Sequence, residues 1–184
     1  MLPLRTFLVA IGTLAATACS PSAPPSDTAA TPATPRSGGV KSGCLSRAYP
    51  EIGGPISLVS HTGETVTEDA FKGRPALIYF GFTYCPDVCP MTLVSIARAY
   101  KMLPEGMTPP QTLLISVDPD RDTPETLAQY VTTAAFPDNL VGLTGTREQV
   151  RAAADSFIAD YSRIDDDSST AGYTMDHTGL LYLM

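Results

Sequence analysis

The sequence predicts an α/β domain with a central, mostly parallel sheet flanked by helices. Segments 75–82 and 112–118 are almost continuously apolar, which is typical of strands buried on both faces of a sheet. A segment with helical spacing of apolar residues follows each of them, so strands and helices alternate from residue 75 onward. Chains that alternate in this way cover their strands with helices, and neighbouring strands then pair in parallel.

Each element has a local signal. Pro90 is tolerated only in the first turn of a helix and therefore marks a helix start. Thr123 suits the N-cap of a second helix, because Pro124 follows it at the first helical position. Thr146 and Gln149 have the spacing of a capping box at the start of a third helix. The predicted strands are 56–60, 75–82, 112–118, 140–143 and 180–184, the predicted helices are 90–103, 123–135 and 146–161, and a polar loop is predicted at 163–172.

Residues 1–19 predict an export signal. Arg5 precedes an apolar run over 7–14, and small residues then lead into Cys19. The run is too short for a bilayer span, which needs roughly 20 apolar residues. The segment resembles a bacterial lipoprotein signal, in which the cysteine becomes the lipidated first residue, and simple cleavage near Ala18 is the alternative. We therefore expect an exported protein on the periplasmic side of the membrane, held there by a lipid anchor.

The rest of the chain divides into a tether and one domain. Residues 20–43 consist mostly of Ser, Pro, Ala, Thr and Gly, and this composition predicts a disordered tether. Residues 44–184 are long enough to form one domain with a core of its own. The net charge of −7, without a basic patch, argues against nucleic acid as a partner.

Cys85 and Cys89 lie in the stretch FTYCPDVCP, between a predicted strand and the helix that Pro90 begins. A helix N-terminus stabilises a thiolate and lowers the pKa of a nearby cysteine. The end of a strand also predicts that both sulfur atoms lie at a surface, where Phe82 and Tyr84 could form an apolar collar around them. A structural disulfide, a redox pair and a metal site all remain open at this point.

The spacing of the two cysteines suits a metal as well as a disulfide. A thioredoxin-type redox pair has two residues between its cysteines, whereas three separate Cys85 from Cys89. Two thiolates favour Cu(I) and leave the ion undercoordinated, so a third ligand is expected. His177, just before the last predicted strand, is the candidate, and Asp176 or Thr178 could orient its ring.

Several stretches of the chain resemble the Sco/SenC family, the copper chaperones of cytochrome c oxidase assembly. The resemblance implies a thioredoxin-like fold that binds copper through Cys85, Cys89 and His177. Family members normally continue past the last matched strand, so the C-terminal strand and helix of the fold are expected to be missing here. In segment 118–124, which also matches, we expect a turn in which Arg121 neutralises nearby acids rather than a metal site. The matching stretches are 52–58, 71–90, 113–130, 140–146 and 173–184.

The resemblance implies a metallochaperone, and not an enzyme, that delivers Cu(I) or Cu(II) to the dinuclear copper site of cytochrome c oxidase subunit II. A copper donor and a periplasmic thiol reductant are then further partners. The alternative is a thiol-disulfide oxidoreductase acting on the cysteines of that site or of another exported protein, with Cys85 and Cys89 as its redox-active disulfide. A purely structural disulfide is disfavoured, because closing so short a loop removes little entropy from the unfolded chain.

Overall fold

The structure is a computed structural model, and it describes residues 49 and 51–184. The expected export signal at 1–19, including Cys19, and the expected tether at 20–43 lie outside the described residues. Among the described residues, no helix has the length and apolar character that crossing a bilayer requires.

The elements of this part of the chain are β1 Ser57–Ser60, β2 Thr65–Thr67, a 3-10 helix Glu68–Phe71, β3 Ala76–Gly81, α1 Val88–Lys101, β4 Gln111–Ser116, α2 Pro124–Val131, β5 Leu140–Thr144, α3 Arg147–Ser156, β6 Tyr161–Asp165, β7 Tyr173–His177 and β8 Leu181–Leu183. Six of these strands form one sheet in the order β2-β1-β5-β4-β3-β8, and β6 and β7 form a second sheet. The central strands β3, β4 and β5 pair in parallel, whereas β1, β2 and β8 pair antiparallel with their neighbours. The predicted α/β class is confirmed, but the sheet is mixed rather than mostly parallel.

Helices cover both faces of the central strands. The register places Tyr79 beside Leu114, so these side chains share the face on which α1 lies. On the opposite face, Phe80 packs against Phe157, just after α3, and against Tyr182, with ring centroids 5.7 and 5.9 Å apart. Burial on both faces explains why the sequence of β3 and β4 is almost continuously apolar.

The helix starts follow the predicted signals closely, and the helix ends do not. The Thr123 side chain accepts a hydrogen bond from the Thr126 N–H, and Thr146 forms the predicted capping box with Gln149. α1 begins two residues before Pro90, which still falls in the first turn, where a missing N–H removes no helical hydrogen bond. α2 and α3 end several residues earlier than predicted, at Val131 and Ser156.

The predicted polar loop at 163–172 is wrong over its first residues. β6 and β7 form an antiparallel hairpin that pairs Tyr161 with His177 and Asp165 with Tyr173. β6 is almost entirely exposed, so it carries no apolar pattern that would indicate a strand. In β7, half-buried and exposed residues alternate, which is a two-residue period that the sequence prediction missed.

Candidate metal centre

The fold brings the three predicted donor residues together from two distant parts of the chain. β3 ends at Gly81, the following loop carries Cys85, and Cys89 lies in the first turn of α1. His177 is the last residue of β7, rather than part of a loop as predicted. Cys89 Sγ lies 3.6 Å from His177 Nε2. The backbone N–H of Cys89 donates to Cys85 Sγ at 3.3 Å, and the two thiols are not joined by a disulfide.

Cys89 is fully buried, which contradicts the expectation that both sulfur atoms lie at a surface. Its thiol fits between the helix and the sheet because Gly81 has no side chain. A Cβ atom at Gly81 would lie 3.2 Å from Cys89 Sγ and 3.0 Å from Tyr79 Cε1. Cys85 is only half-buried, so the two thiols differ in their access to solvent.

Burial also sets the ionisation of Cys89. Removal from water raises the pKa of its thiol to about 12, although a hydrogen bond from the Tyr79 hydroxyl acts in the opposite direction. That hydroxyl donates to Cys89 Sγ at 3.6 Å. The expectation of a lowered pKa is therefore wrong for Cys89, because desolvation outweighs the hydrogen bonds that act in the opposite direction.

Contacts on several sides hold the His177 ring. The rings of Tyr79 and Phe82 meet it edge to face, with centroids 6.1 and 5.9 Å away. His177 Nδ1 lies 3.2 Å from the Thr178 carbonyl oxygen. Since a carbonyl can only accept, Nδ1 carries the proton and Nε2 presents its lone pair towards Cys89.

Two residues that the sequence suggested as neighbours of the site, Asp176 and Tyr84, are both exposed. Asp176 is exposed, and adjacent residues of a strand point to opposite faces, so the carbonyl of Thr178 orients the ring instead. Tyr84 is 56% exposed, and Arg121 lies over its ring at 4.6 Å. The sequence prediction missed Tyr79, although the two-residue period of β3 places it on the same face as Gly81.

A buried carboxylate fixes the loop that carries Cys85. The side chain of Asp122 accepts hydrogen bonds from the Thr83 N–H at 3.0 Å and from the Ser116 hydroxyl at 2.6 Å. Burial raises the pKa of Asp122 above its ordinary value. The predicted role of Arg121 is confirmed, since its guanidinium forms an ion pair with Asp118 at 2.5 Å.

Within residues 49 and 51–184, no group of three or more His, Cys, Asp and Glu side chains is already arranged to hold a metal ion. Cys89 and His177 are adjacent, but the Cys85 thiol faces the Cys89 N–H.

The chain is similar in sequence to proteins that carry the names SCO1 and SenC. The SCO1/SenC family model matches residues 46–184. The chain is 44% identical over 137 residues to the human mitochondrial protein SCO1 homolog, a match that covers 73% of this chain and 44% of the relative. It is 41% identical over 138 residues to protein SenC of Rhodobacter capsulatus, covering 74% of this chain and 60% of the relative. The chain thus spans between 44% and 60% of the length of these two relatives.

The fold agrees with the sequence comparison. The crystal structure of Arabidopsis thaliana ScoI with copper bound superimposes with a TM-score of 0.67 at 39% identity, covering 72% of this chain and 81% of that one. This likeness confirms the thioredoxin-like fold that the sequence predicted. Because the family model covers residues 46–184, the chain belongs to the SCO1/SenC family.

Proposed function

We propose that this protein is a copper metallochaperone that binds one copper ion through Cys85, Cys89 and His177. The observation that carries the proposal is the 3.6 Å contact between Cys89 Sγ and His177 Nε2, since it joins the two parts of the chain that hold the donors. Two thiolates and one imidazole suit Cu(I), whereas structural zinc usually takes four ligands. Copper in the related ScoI structure supports the same choice.

Binding requires proton release from the buried thiol. Because burial raises the pKa of Cys89 to about 12, copper must displace its proton. Copper affinity therefore falls as the pH falls. The Tyr79 hydroxyl then donates to the Cys89 thiolate, and the Thr178 carbonyl keeps the proton of His177 on Nδ1.

The difference in access between the two cysteines gives copper transfer a direction. Cys85 lies in a loop and is half-buried, whereas Cys89 is fully buried. A thiolate of the acceptor therefore replaces Cys85 first, and Cys89 and His177 release the ion afterwards. The acceptor in this proposal is the dinuclear copper site of cytochrome c oxidase subunit II, and the protein acts as a carrier and not as an enzyme.

The proposed function also requires export of the protein. Residues 1–19 direct the chain out of the cytoplasm, and lipidated Cys19 anchors it on the periplasmic side of the membrane. A periplasmic copper donor loads the site. A periplasmic thiol reductant keeps Cys85 and Cys89 reduced, because a disulfide between them removes two of the three donors.

A second candidate function is thiol-disulfide exchange. The observation that favours it is a pair of thiols four residues apart and not disulfide-bonded, of which Cys85 is the accessible one. In this reaction Cys85 attacks a partner disulfide as a thiolate, and Cys89 then resolves the mixed disulfide. His177 is not needed for either step, so it distinguishes the two functions.

The test is an anaerobic Cu(I) titration of the reduced full chain in competition with a chromophoric chelator. We expect His177→Ala to weaken copper binding at least tenfold, because it removes one of three ligands, and to leave disulfide exchange with a small aromatic disulfide largely intact. His61→Ala is the matched control, since His61 accepts a hydrogen bond from the Gly142 N–H, away from the cysteines. Unchanged copper affinity in His177→Ala would contradict the three-donor site, and unchanged affinity in Cys85→Ser would place the copper elsewhere.

A further inference from the structure

Arg121 connects the two parts of the chain that carry the donors. Its Cζ atom lies 3.6 Å from the centroid of the Tyr173 ring and 4.6 Å from that of the Tyr84 ring. Tyr84 immediately precedes Cys85, and Tyr173 is the first residue of the strand that ends at His177. The guanidinium therefore lies between the cysteine loop and the histidine strand.

Polar contacts fix the guanidinium in this place. Arg121 Nη1 donates to the Tyr173 carbonyl at 3.1 Å, and Nε donates to the Asp118 carboxylate at 2.5 Å. The other carboxylate oxygen of Asp118 accepts from the Tyr173 hydroxyl at 2.8 Å. The Arg121 side chain is only 15% exposed, so water competes little for these contacts.

The hairpin formed by β6 and β7 depends on such contacts, because it does not belong to the six-stranded sheet. Its first strand is almost entirely exposed. A second guanidinium, that of Arg163, lies 3.7 Å from the Tyr173 ring, and two groups this close must occupy opposite faces of it. Arg163 belongs to β6, so its contact with Tyr173 lies within the hairpin. The contact of Arg121 with Tyr173 instead joins the hairpin to the rest of the domain.

We propose that Arg121 is a positioning residue that holds His177 against Cys89 by clamping the β6–β7 hairpin to the cysteine loop. This inference rests on the proposed copper site. A planar guanidinium is suited to the role because it stacks on rings and donates hydrogen bonds within its own plane at the same time. Asp122, the next residue, contacts the same loop through Thr83.

The first test needs no metal. In the reduced full chain, we expect nuclear Overhauser contacts between the rings of His177 and Phe82, whose centroids lie 5.9 Å apart. These contacts should weaken in Arg121→Gln and persist in Arg163→Gln, a matched control that removes the other guanidinium on Tyr173. Unchanged contacts in Arg121→Gln would overturn the inference, even if the chain bound no copper at all.

The second test is a double-mutant cycle on Cu(I) affinity. We expect Arg121→Gln to weaken binding about 10- to 100-fold, as is typical for residues that orient a metal ligand, and to have little effect in a His177→Ala background. Equal losses in both backgrounds would show a general folding defect and overturn the positioning role. Should Arg121→Gln fail to fold, Arg121→Lys keeps the charge opposite Asp118 without the planar stack, and we expect a smaller loss with the same dependence on His177. If the wild-type chain itself bound no copper, the proposed function would fail, and the metal-free test would still decide the role of Arg121.

Discussion

Gly81 determines how closely the sheet approaches the first turn of α1. A Cβ atom at this position would lie 3.0 Å from Tyr79 Cε1, 3.1 Å from Leu114 Cδ1 and 3.2 Å from Cys89 Sγ. All three distances are shorter than an ordinary van der Waals contact, so an added methyl group fits only if the surrounding side chains move. The absence of a side chain at Gly81 is therefore what allows the Cys89 sulfur to lie against β3.

We predict that Gly81→Ala lowers the free energy of unfolding by about 1–3 kcal/mol, the usual effect of overpacking a well-packed core. Gly179→Ala is the control, because no atom lies within 4 Å of a Cβ at that position. Urea unfolding of the two variants measures the difference. Equal stability of the two variants would show that α1 can shift away from β3 and that Gly81 does not fix the position of Cys89.

At the same scale, residue types and spacing indicated the three candidate donors that the fold brings together, but not their environment. Cys85, Cys89 and His177 could be selected because thiolates and imidazole are the donors that soft metals prefer. The burial of Cys89 could not be predicted, because it depends on Gly81 and Tyr79 in a different element. The raised pKa of Cys89 follows from that burial.

At the scale of elements, local hydrogen bonds define where the helices begin. Thr146 Oγ1 accepts from the Gln149 N–H at 3.2 Å, and the Gln149 side chain accepts from the Thr146 N–H at 2.8 Å. These contacts involve residues three positions apart, which is why the sequence alone predicted them. The ends of α2 and α3 lack such paired signals, and their predicted positions were wrong by several residues.

We predict that Thr146→Ala lowers the free energy of unfolding by about 1 kcal/mol, since the Gln149 N–H at the start of α3 loses its partner, the Thr146 hydroxyl. Thr108→Ala is the control, because Thr108 is exposed and lies outside any helix or strand. Thermal unfolding monitored by circular dichroism is the measurement. A loss in Thr146→Ala no larger than in the control would mean that packing alone determines the start of α3.

The β6–β7 hairpin shows why part of the fold could not be predicted. Its first strand is almost entirely exposed, so its sequence carries no apolar pattern that indicates a strand. Pairing between Tyr161 and His177 is a long-range contact that no local pattern indicates. The strand that places His177 was therefore among the elements that the sequence left unassigned.

At the scale of the whole molecule, the buried carboxylate of Asp122 links stability to pH. Burial raises the pKa of Asp122 above its ordinary value of 3.8. The folded state therefore holds the Asp122 proton more tightly than the unfolded chain does. This stabilising effect is fully present below about pH 3.8 and is lost as the pH rises through the folded-state pKa.

We predict that the wild-type protein loses stability relative to Asp122→Asn as the pH rises from 3 to 7. Asparagine does not ionise, so the pH-dependent part of the difference belongs to Asp122, and weaker hydrogen bonding by the amide adds a constant offset. Urea unfolding of both proteins across this range is the measurement. A difference that moves in favour of the wild type with rising pH would show that the donors on Thr83 and Ser116 outweigh the effect of burial.

Because β6 and β7 pair separately from the six-stranded sheet, the turn between them can change in length without disturbing that sheet. The turn at 166–172 joins two strands that pair only with each other in the described sheets, so insertions or deletions there leave the alignment of the other six strands unchanged. The histidine lies at the opposite end of the same ribbon. A change in the length or sequence of the ribbon's tip can thus leave His177, at its base, in place beside Cys89.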